Sequence, residues 1–287
     1  MRTPFTNVVF AGGGCRCMWQ AGFWSVVAAE RIVEPRKVAA VSAGSAIAAM
    51  ALAGRIEVGV DAFVERVAAN RRNAYPRNAF SARPLFPHGE IYRSILAEII
   101  DGETFAQINA RADLHILISR PPAWSDRIGR VAVAASLPLG IAAYALERRL
   151  LGSLHPRWPS RLGFRKDIVR ARDLDGPESL IDAVLASSCT PPVTPLYRRD
   201  GQPVLDGGLV DNIGVEAMPE RSRAGALVLL SKRYPNLDQI ATRSVTYVQP
   251  SADIPILKWD YTRPDLVRKT FELGMRDGAA FVAQPRG

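Results

Sequence analysis

Residues 5–11, FTNVVFA, form a short apolar run that stops at Gly12-Gly13-Gly14, a pattern that predicts a strand followed by a tight turn. From Met18 to about Ile32 the apolar residues recur at helical spacing, so the first unit reads strand, glycine loop, helix. The next apolar segment, 37–41, predicts a second strand, and the alanine-rich stretch 43–54 a helix closed by Gly54. Helical patterns continue over 56–72 and 90–100, and LHILIS at 114–119 predicts another strand. Strands and helices alternating at short intervals predict an α/β fold, a mostly parallel central sheet flanked by helices on both sides in three layers.

Residues 120–163 depart from this alternation. A proline pair at 121–122 precedes a 16-residue apolar run, VAVAASLPLGIAAYAL at 131–146, bracketed by Arg127 and Arg130 on one side and Arg148-Arg149 on the other. As one straight helix the run would reach about 24 Å, short of the roughly 30 Å hydrocarbon core of a bilayer, so it is not a simple span. Pro138 and Gly140 predict a break near its middle. The two short apolar helices that result could pack as core on the main sheet, dip into one leaflet or cover a cleft. After this insert the pattern predicts a strand at 164–170, a helix at 178–187 and a short strand at 203–206 running into DGGLVDN. ALVLLS at 226–231 and VTYVQP at 245–250 follow as strands, with a closing helix over 263–274. With no internal repeat or low-complexity segment, the reading is a single domain over 1–287 carrying an apolar, basic insert at about 120–163.

Composition changes this picture only in part. At 287 residues and 48% hydrophobic, the chain can bury a substantial core without staples. Cys15, Cys17 and Cys189 form no even disulfide framework, and Cys15-x-Cys17 lacks the second ligand pair of a structural zinc site, so no metal or cofactor is expected and a reducing compartment fits. A single Arg2 followed by TPFTNVV is not a secretory signal, which makes the expectation a cytoplasmic protein, peripherally associated with membrane at most. The net charge of +9 comes mostly from arginines in small groups such as Arg71-Arg72 and Arg198-Arg199, and favours anionic partners. No basic helical stripe, zinc-finger spacing or RNP-like run is present, so nucleic acid is not expected, while an anionic membrane surface suits the charge. A solubilising surface without a dedicated partner is the plain alternative.

Candidate chemistry begins at VAAVSAGSAIAAM, 38–50, where Ser42 sits at the change from strand to helix. That is the position of a nucleophile elbow, written G-x-S-x-G, although the register here reads Ala40-Val41-Ser42-Ala43-Gly44 and a serine there can equally be a helix N-cap. A serine hydroxyl needs a base and oxyanion donors. His88, His115 and His155 stand in no compelling loop, so no Ser-His-Asp triad is visible. Asp206 ends an apolar run and precedes Gly207-Gly208, which suits either a carboxylate held at a strand end or a plain Asp-Gly turn. GGGCR at 12–16 offers consecutive amides at a helix start, fit for an oxyanion or a phosphate. Read as a dinucleotide fingerprint, Gly12-x-Gly14 with Glu34 lacks its third glycine, which is Cys17, and leaves Ser42 and the Asp206 loop unexplained.

GGGCR at 12–16, AVSAGS at 40–45 and DGGLVDN at 206–212 resemble, in this order, the patatin-like phospholipase family, with its G-G-G-x-R/K-G loop, G-x-S-x-G elbow and later D-G-G/A motif. ASSCTPPVTPL at 186–196 resembles the proline-rich segment that precedes the last motif in such proteins. The resemblance implies a serine acyl hydrolase that cleaves phospholipid or lysophospholipid esters through a Ser-Asp dyad, without histidine or metal. Ser42 would attack the ester carbonyl with Asp206 as its base, and water would then cleave the acyl-enzyme. The loop Gly12, Gly13, Gly14, Cys15 and Arg16 would form the oxyanion hole, with Arg16 ordering the loop or attracting a head group. Ala40 and Gly44 flank the elbow, and Gly207 and Gly208 the dyad loop. The chain departs from the family pattern at Ala40 and Cys17, which keeps a weakly active or inactive lipid-binding member as the alternative.

Overall fold

The computed structural model describes residues 3–151, 155–235, 237 and 244–284. Its strands are β1 (Phe5–Phe10), β2 (Val33–Val41), β3 (Asp113–Arg120), β4 (Arg165–Arg170), β5 (Arg198–Arg199), β6 (Gln202–Pro203), β7 (Leu205–Asp206), β8 (Leu227–Leu229) and β9 (Thr246–Val248). The helices are α1 (Met18–Ala29), α2 (Ala43–Ala53), α3 (Ile56–Ala69), α4 (His88–Ile99), α5 (Gly102–Arg111), α6 (Ala123–Ile128), α7 (Arg130–Leu151), α8 (Trp158–Arg161), α9 (Pro177–Ser187), α10 (Gly208–Asp211) and α11 (Pro264–Ala283).

The main sheet runs β4-β3-β2-β1-β8-β9, parallel from β3 to β9, with β4 antiparallel on the edge of β3. Helices flank it, as the alternating pattern predicts. Val8, Val9, Phe10, Val38, Ala39, Ala40 and Val41 are all fully buried, the near-continuous apolar character of strands covered on both faces. β2 starts earlier than predicted, at Val33, because its pairing with β1 skips from Phe5–Val33 to Asn7–Lys37, an irregularity that absorbs Pro35 and its missing N–H.

One detail of this sheet positions the candidate site. β2 pairs with β3 as far as Val41–Leu117 and then leaves the sheet at Ser42. The edge of β3 that it vacates is taken by β7, antiparallel, with Asp206 opposite Ile118 and Leu205 opposite Ser119. Asp206 therefore lies one step beyond the end of β2, beside the residue that turns away.

Two predicted helices are longer than their patterns. The closing helix extends past 274 to Ala283, since Gly274 and Gly278 do not end it but let it press against α1. A side chain at Gly274 would collide with the Trp19 carbonyl, and Trp19 Nε1 donates to Asp277 Oδ2 at 2.7 Å across the same crossing. The break expected at Pro138 and Gly140 does not occur: α7 is a single helix with Pro138 inside it. Its length of 22 residues is about 33 Å, because it takes in Arg130 and the residues after 146. Docking overrides the local signal here. Val133 and Leu137 are buried, and the bare Cα of Gly140 admits the Phe164 ring and Leu209, which would stand 2.9 and 3.2 Å from a Cβ. Pro138 is exposed, away from this seam. By length and composition α7 could cross a membrane, and only 28% of its apolar window is buried within the protein, unlike that of a core helix. α5, which the pattern left unread, starts on a reciprocal cap, with Thr104 N donating to Asp101 Oδ1 and Asp101 N to Thr104 Oγ1, each at 2.8 Å.

Candidate active site

Ser42 has φ 55° and ψ −138°, a left-handed backbone that a residue with a side chain holds only when its surroundings enforce it. Three contacts do so. Its amide donates to Ser187 Oγ at 2.8 Å, its carbonyl accepts from Ser45 N at 2.8 Å, and Ser187 Oγ is itself fixed by donating to Leu117 O at 2.6 Å. Gly44 makes the turn sterically possible, because a Cβ there would come within 2.5 Å of the Phe10 carbonyl oxygen. Ala40 pairs with Phe10 and Ile116 inside the sheet, where its methyl is buried and clear of the turn.

Although Ser42 occupies the N-cap position of α2, its side chain caps nothing. The hydroxyl donates instead to Asp206 Oδ2 at 2.6 Å. Asp206 is held by its own amide, which donates to Cys189 O at 2.7 Å, and by Gly208 N, which donates to Oδ1 at 2.7 Å. Burial pushes its carboxyl above the usual carboxylate range; the charge of Lys258, the Ser42 hydroxyl and the Gly208 amide pull it partly back. The Gly207 amide donates to Ser187 O, so the same serine residue braces both sides of the pair.

The glycine turn lies over Ser42: a Cβ on Gly12 would stand 3.1 Å from Ser42 Cβ. Gly14 has φ 60° and passes so close to Lys258 that any side chain would strike its carbonyl. Two of the amides expected to face an oxyanion are engaged elsewhere. Gly12 N donates to Asn212 O at 2.9 Å and Cys15 N to Lys258 O at 3.0 Å. The amides of Gly13 and Gly14 have no acceptor among the described residues, which narrows the candidate oxyanion donors to those two. Asn212 Nδ2 and Ser231 Oγ donate to Gly12 O at 3.2 and 2.5 Å and lock the turn. Arg16 Nε donates to Gly13 O at 3.3 Å, folding its side chain along the loop. Cys17 packs beneath it, with Sγ 3.5 Å from Ala11 O, and burial pushes its thiol up to about 12.

The pattern did not single out Ser187, Asn212 or Ser231. Ser187 and Asn212 lie within the quoted stretches 186–196 and 206–212, and Ser231 is the polar residue that closes ALVLLS. None of the histidines hydrogen-bonds to Ser42, although His88 lines the same inner cavity as the serine. His88 Nε2 is bound to Trp259 O at 2.9 Å, His115 pairs with Asp113, and His155 Nδ1 pairs with Asp211 at 3.1 Å. Glu34 stands at the start of β2, at the opposite end of the sheet from the glycine turn. Among the described residues no group of three or more His, Cys, Asp or Glu could hold a metal ion.

Asp206 separates an outer cleft from inner cavities. The cleft, about 170 Å³, has one wall of α7 side chains, Leu137, Ile141, Tyr144 and Ala145, and a facing wall that includes Arg16, Lys232 and Lys258. Inward, a cavity of about 40 Å³ at Ser42 and another of about 30 Å³ beneath it share Gly14, Ala43, Tyr92 and Tyr261 and end among Ile47, Met50 and Phe63. The polar pair Ser42 and Asp206 thus lies between a charged mouth and an apolar interior.

A mostly parallel sheet flanked by helices, with a serine on a strained strand-to-helix turn, is an arrangement used by α/β carboxylic ester hydrolases. The family model described as Patatin-like phospholipase matches residues 8–219, and the chain belongs to that family, an enzyme of the phospholipase and esterase kind. Among solved structures, VipD from Legionella pneumophila aligns over 97% of this chain and 67% of its own, at 9% identity and a TM-score of 0.43. No curated protein matches the chain.

Proposed function

We propose that this single-domain protein hydrolyses acyl esters of phospholipids through Ser42 and Asp206. The observation that carries the reading is the 2.6 Å hydrogen bond from the Ser42 hydroxyl, on its positive-φ turn, to a carboxyl whose proton affinity burial has raised. As Ser42 Oγ bonds to the ester carbonyl carbon, its proton passes to Asp206 Oδ2. The Gly13 and Gly14 amides receive the oxyanion. Collapse breaks the carbon–oxygen bond to the leaving alcohol, which takes the proton from Asp206. Water then attacks the acyl-enzyme, Asp206 accepts its proton, and the free acid departs as Ser42 recovers its hydrogen. The apolar cavity beneath Ser42, lined by Ile47, Met50 and Phe63, would take the start of the acyl chain.

The test is labelling with a fluorophosphonate probe, followed by mapping of the tagged peptide. The expected tag is on Ser42, and Ser42→Ala and Asp206→Asn are each expected to lower hydrolysis of p-nitrophenyl butyrate by about 1000-fold or more. Full activity in either variant removes the pair from the mechanism. A chain that binds lipid but takes no label is a binding module instead.

The reading extends to where the enzyme works, an anionic lipid surface. The net charge of +9 supports it, as does the outer side of α6 and α7, where Trp124, Ile128, Val131, Leu139, Leu146 and Leu150 are exposed beside Arg127, Arg130 and Arg149.

A further inference from the structure

Four cations converge on the outer cleft. Arg16 follows the glycine turn, Arg148 comes from α7, Lys232 follows β8, and Lys258 lies on the segment before α11; all four line the cleft with Asp206 and none is fully exposed. Some basic side chains elsewhere are paired with acids, as in Arg66–Glu98, Arg93–Asp182, Arg120–Asp167 and Arg172–Asp113. None of the four cleft cations has a carboxylate within 4.0 Å among the described residues. Their crowding registers on Lys232, whose ammonium is pushed down to about 7 by burial and by the charges of Arg148, Arg16 and Lys258.

Aromatic rings rather than acids hold three of these cations, and Arg16 is held by the Gly13 carbonyl. Lys232 Nζ lies 4.9 Å and Arg148 Cζ 5.8 Å from the centre of the Tyr234 ring, and Lys258 Nζ lies 5.0 Å from that of Trp259. Like charges gathered in a half-buried cleft repel, and an anion bound among them removes the cost. The one carboxylate in the cleft, Asp206, is already bonded to Ser42 and Gly208, so nothing there is left to pair with a quaternary ammonium, and the Trp259 ring already carries a cation.

We propose that Arg16, Arg148, Lys232 and Lys258 form a headgroup site for the phosphate of a glycerophospholipid with uncompensated negative charge, which makes phosphatidylglycerol-type esters preferred over phosphatidylcholine. The substrate preference rests on the hydrolase reading above. The phosphate enters against the cationic wall, the glycerol backbone lies along Leu137 and Ile141, and the ester faces Ser42 and Asp206.

The test uses dihexanoyl phosphatidylglycerol and dihexanoyl phosphatidylcholine as dissolved monomers, so that the charge of a lipid surface does not enter. Wild-type kcat/KM is expected to favour the glycerol lipid by about tenfold or more. Lys232→Gln combined with Arg148→Gln is expected to bring that ratio to within about twofold of unity, while Lys232→Arg retains it. Equal rates on the two lipids with wild type overturn the proposal, as does a ratio that survives the double substitution. Should the double variant fail to fold, the wild-type ratio and Lys232→Arg still decide. Calorimetric titration of the Ser42→Ala protein separates this site from the chemistry. Selective binding of phosphatidylglycerol in a protein whose wild type hydrolyses neither lipid sinks the Ser-Asp mechanism and keeps the headgroup site. Binding of inorganic phosphate as tight as that of phosphatidylglycerol assigns the cations to a free anion and overturns the headgroup assignment.

Discussion

Asp206 has two demands on it that pull in opposite directions. As the proposed base it would gain from burial, which raises its proton affinity; as part of a folded core its ionised form costs stability for the same reason. In the window between the ordinary aspartate pKa, about 3.9, and the raised folded value, the native state binds more protons than the unfolded chain. Stability therefore falls as pH rises through that window. Removing the charge should relieve the cost: Asp206→Asn is expected to melt higher at pH 7, by about 2–4 °C if the gain is about 1 kcal/mol, while losing hydrolysis. In wild type the acid limb of kcat/KM on a neutral ester should lie above the ordinary carboxylate range, and a limb at or below pH 4 would contradict the raised value. At this scale the motifs made Ser42, Asp206 and the glycine turn legible, because each depends on small neighbours close in the chain. Ser187 was not, since its hydrogen bond to the Ser42 amide joins residues 145 apart. Nor could any pattern reveal that Gly12 and Cys15 spend their amides on Asn212 and Lys258.

α7 shows how an element can contradict its own local signals. Pro138 and Gly140 read as a break, but Gly140 is the contact point with Phe164 and Leu209, and packing there carries the helix through. The helix thereby presents two sides. One lines the cleft with Leu137, Ile141 and Tyr144; the other leaves Leu139 and Leu146 exposed. Leu139→Ser with Leu146→Ser is expected to weaken binding to phosphatidylglycerol vesicles by about tenfold, and to do so more than it slows cleavage of p-nitrophenyl butyrate. Unaltered vesicle binding would free this face from any membrane role. α5 was missed for a different reason: it is amphipathic and capped by Asp101 and Thr104, but it is only 10 residues long and its spacing is carried by two large apolar residues, Phe105 and Ile108.

For the whole molecule, alternation of strand and helix was enough to give a mostly parallel sheet, but not its order. That order depends on the segment after residue 219, where the family match ends. β8 pairs with β1 at the centre of the sheet, Ser231 holds the Gly12 carbonyl, and Lys258 accepts from Cys15. A chain ended at residue 219 would lose all three and expose the edge of β1. It is expected to be insoluble or to lack cooperative thermal unfolding, which circular dichroism on the truncated and full chains would measure; a cooperative melt from the shortened chain would contradict the dependence.

The slot that β7 fills carries one more implication. Side chains alternate across a strand, so a slip of β7 by a single position would present Leu205 to the serine and turn the acid toward the opposite layer. Deleting one residue from the stretch that leads into β7 could leave the architecture standing and yet extinguish turnover. The Ser42–Asp206 contact thus depends on register in two ways: a slip of one position turns the carboxylate to the wrong face, and a slip of two restores its facing but carries it about 6.6 Å along the strand, out of reach of the serine.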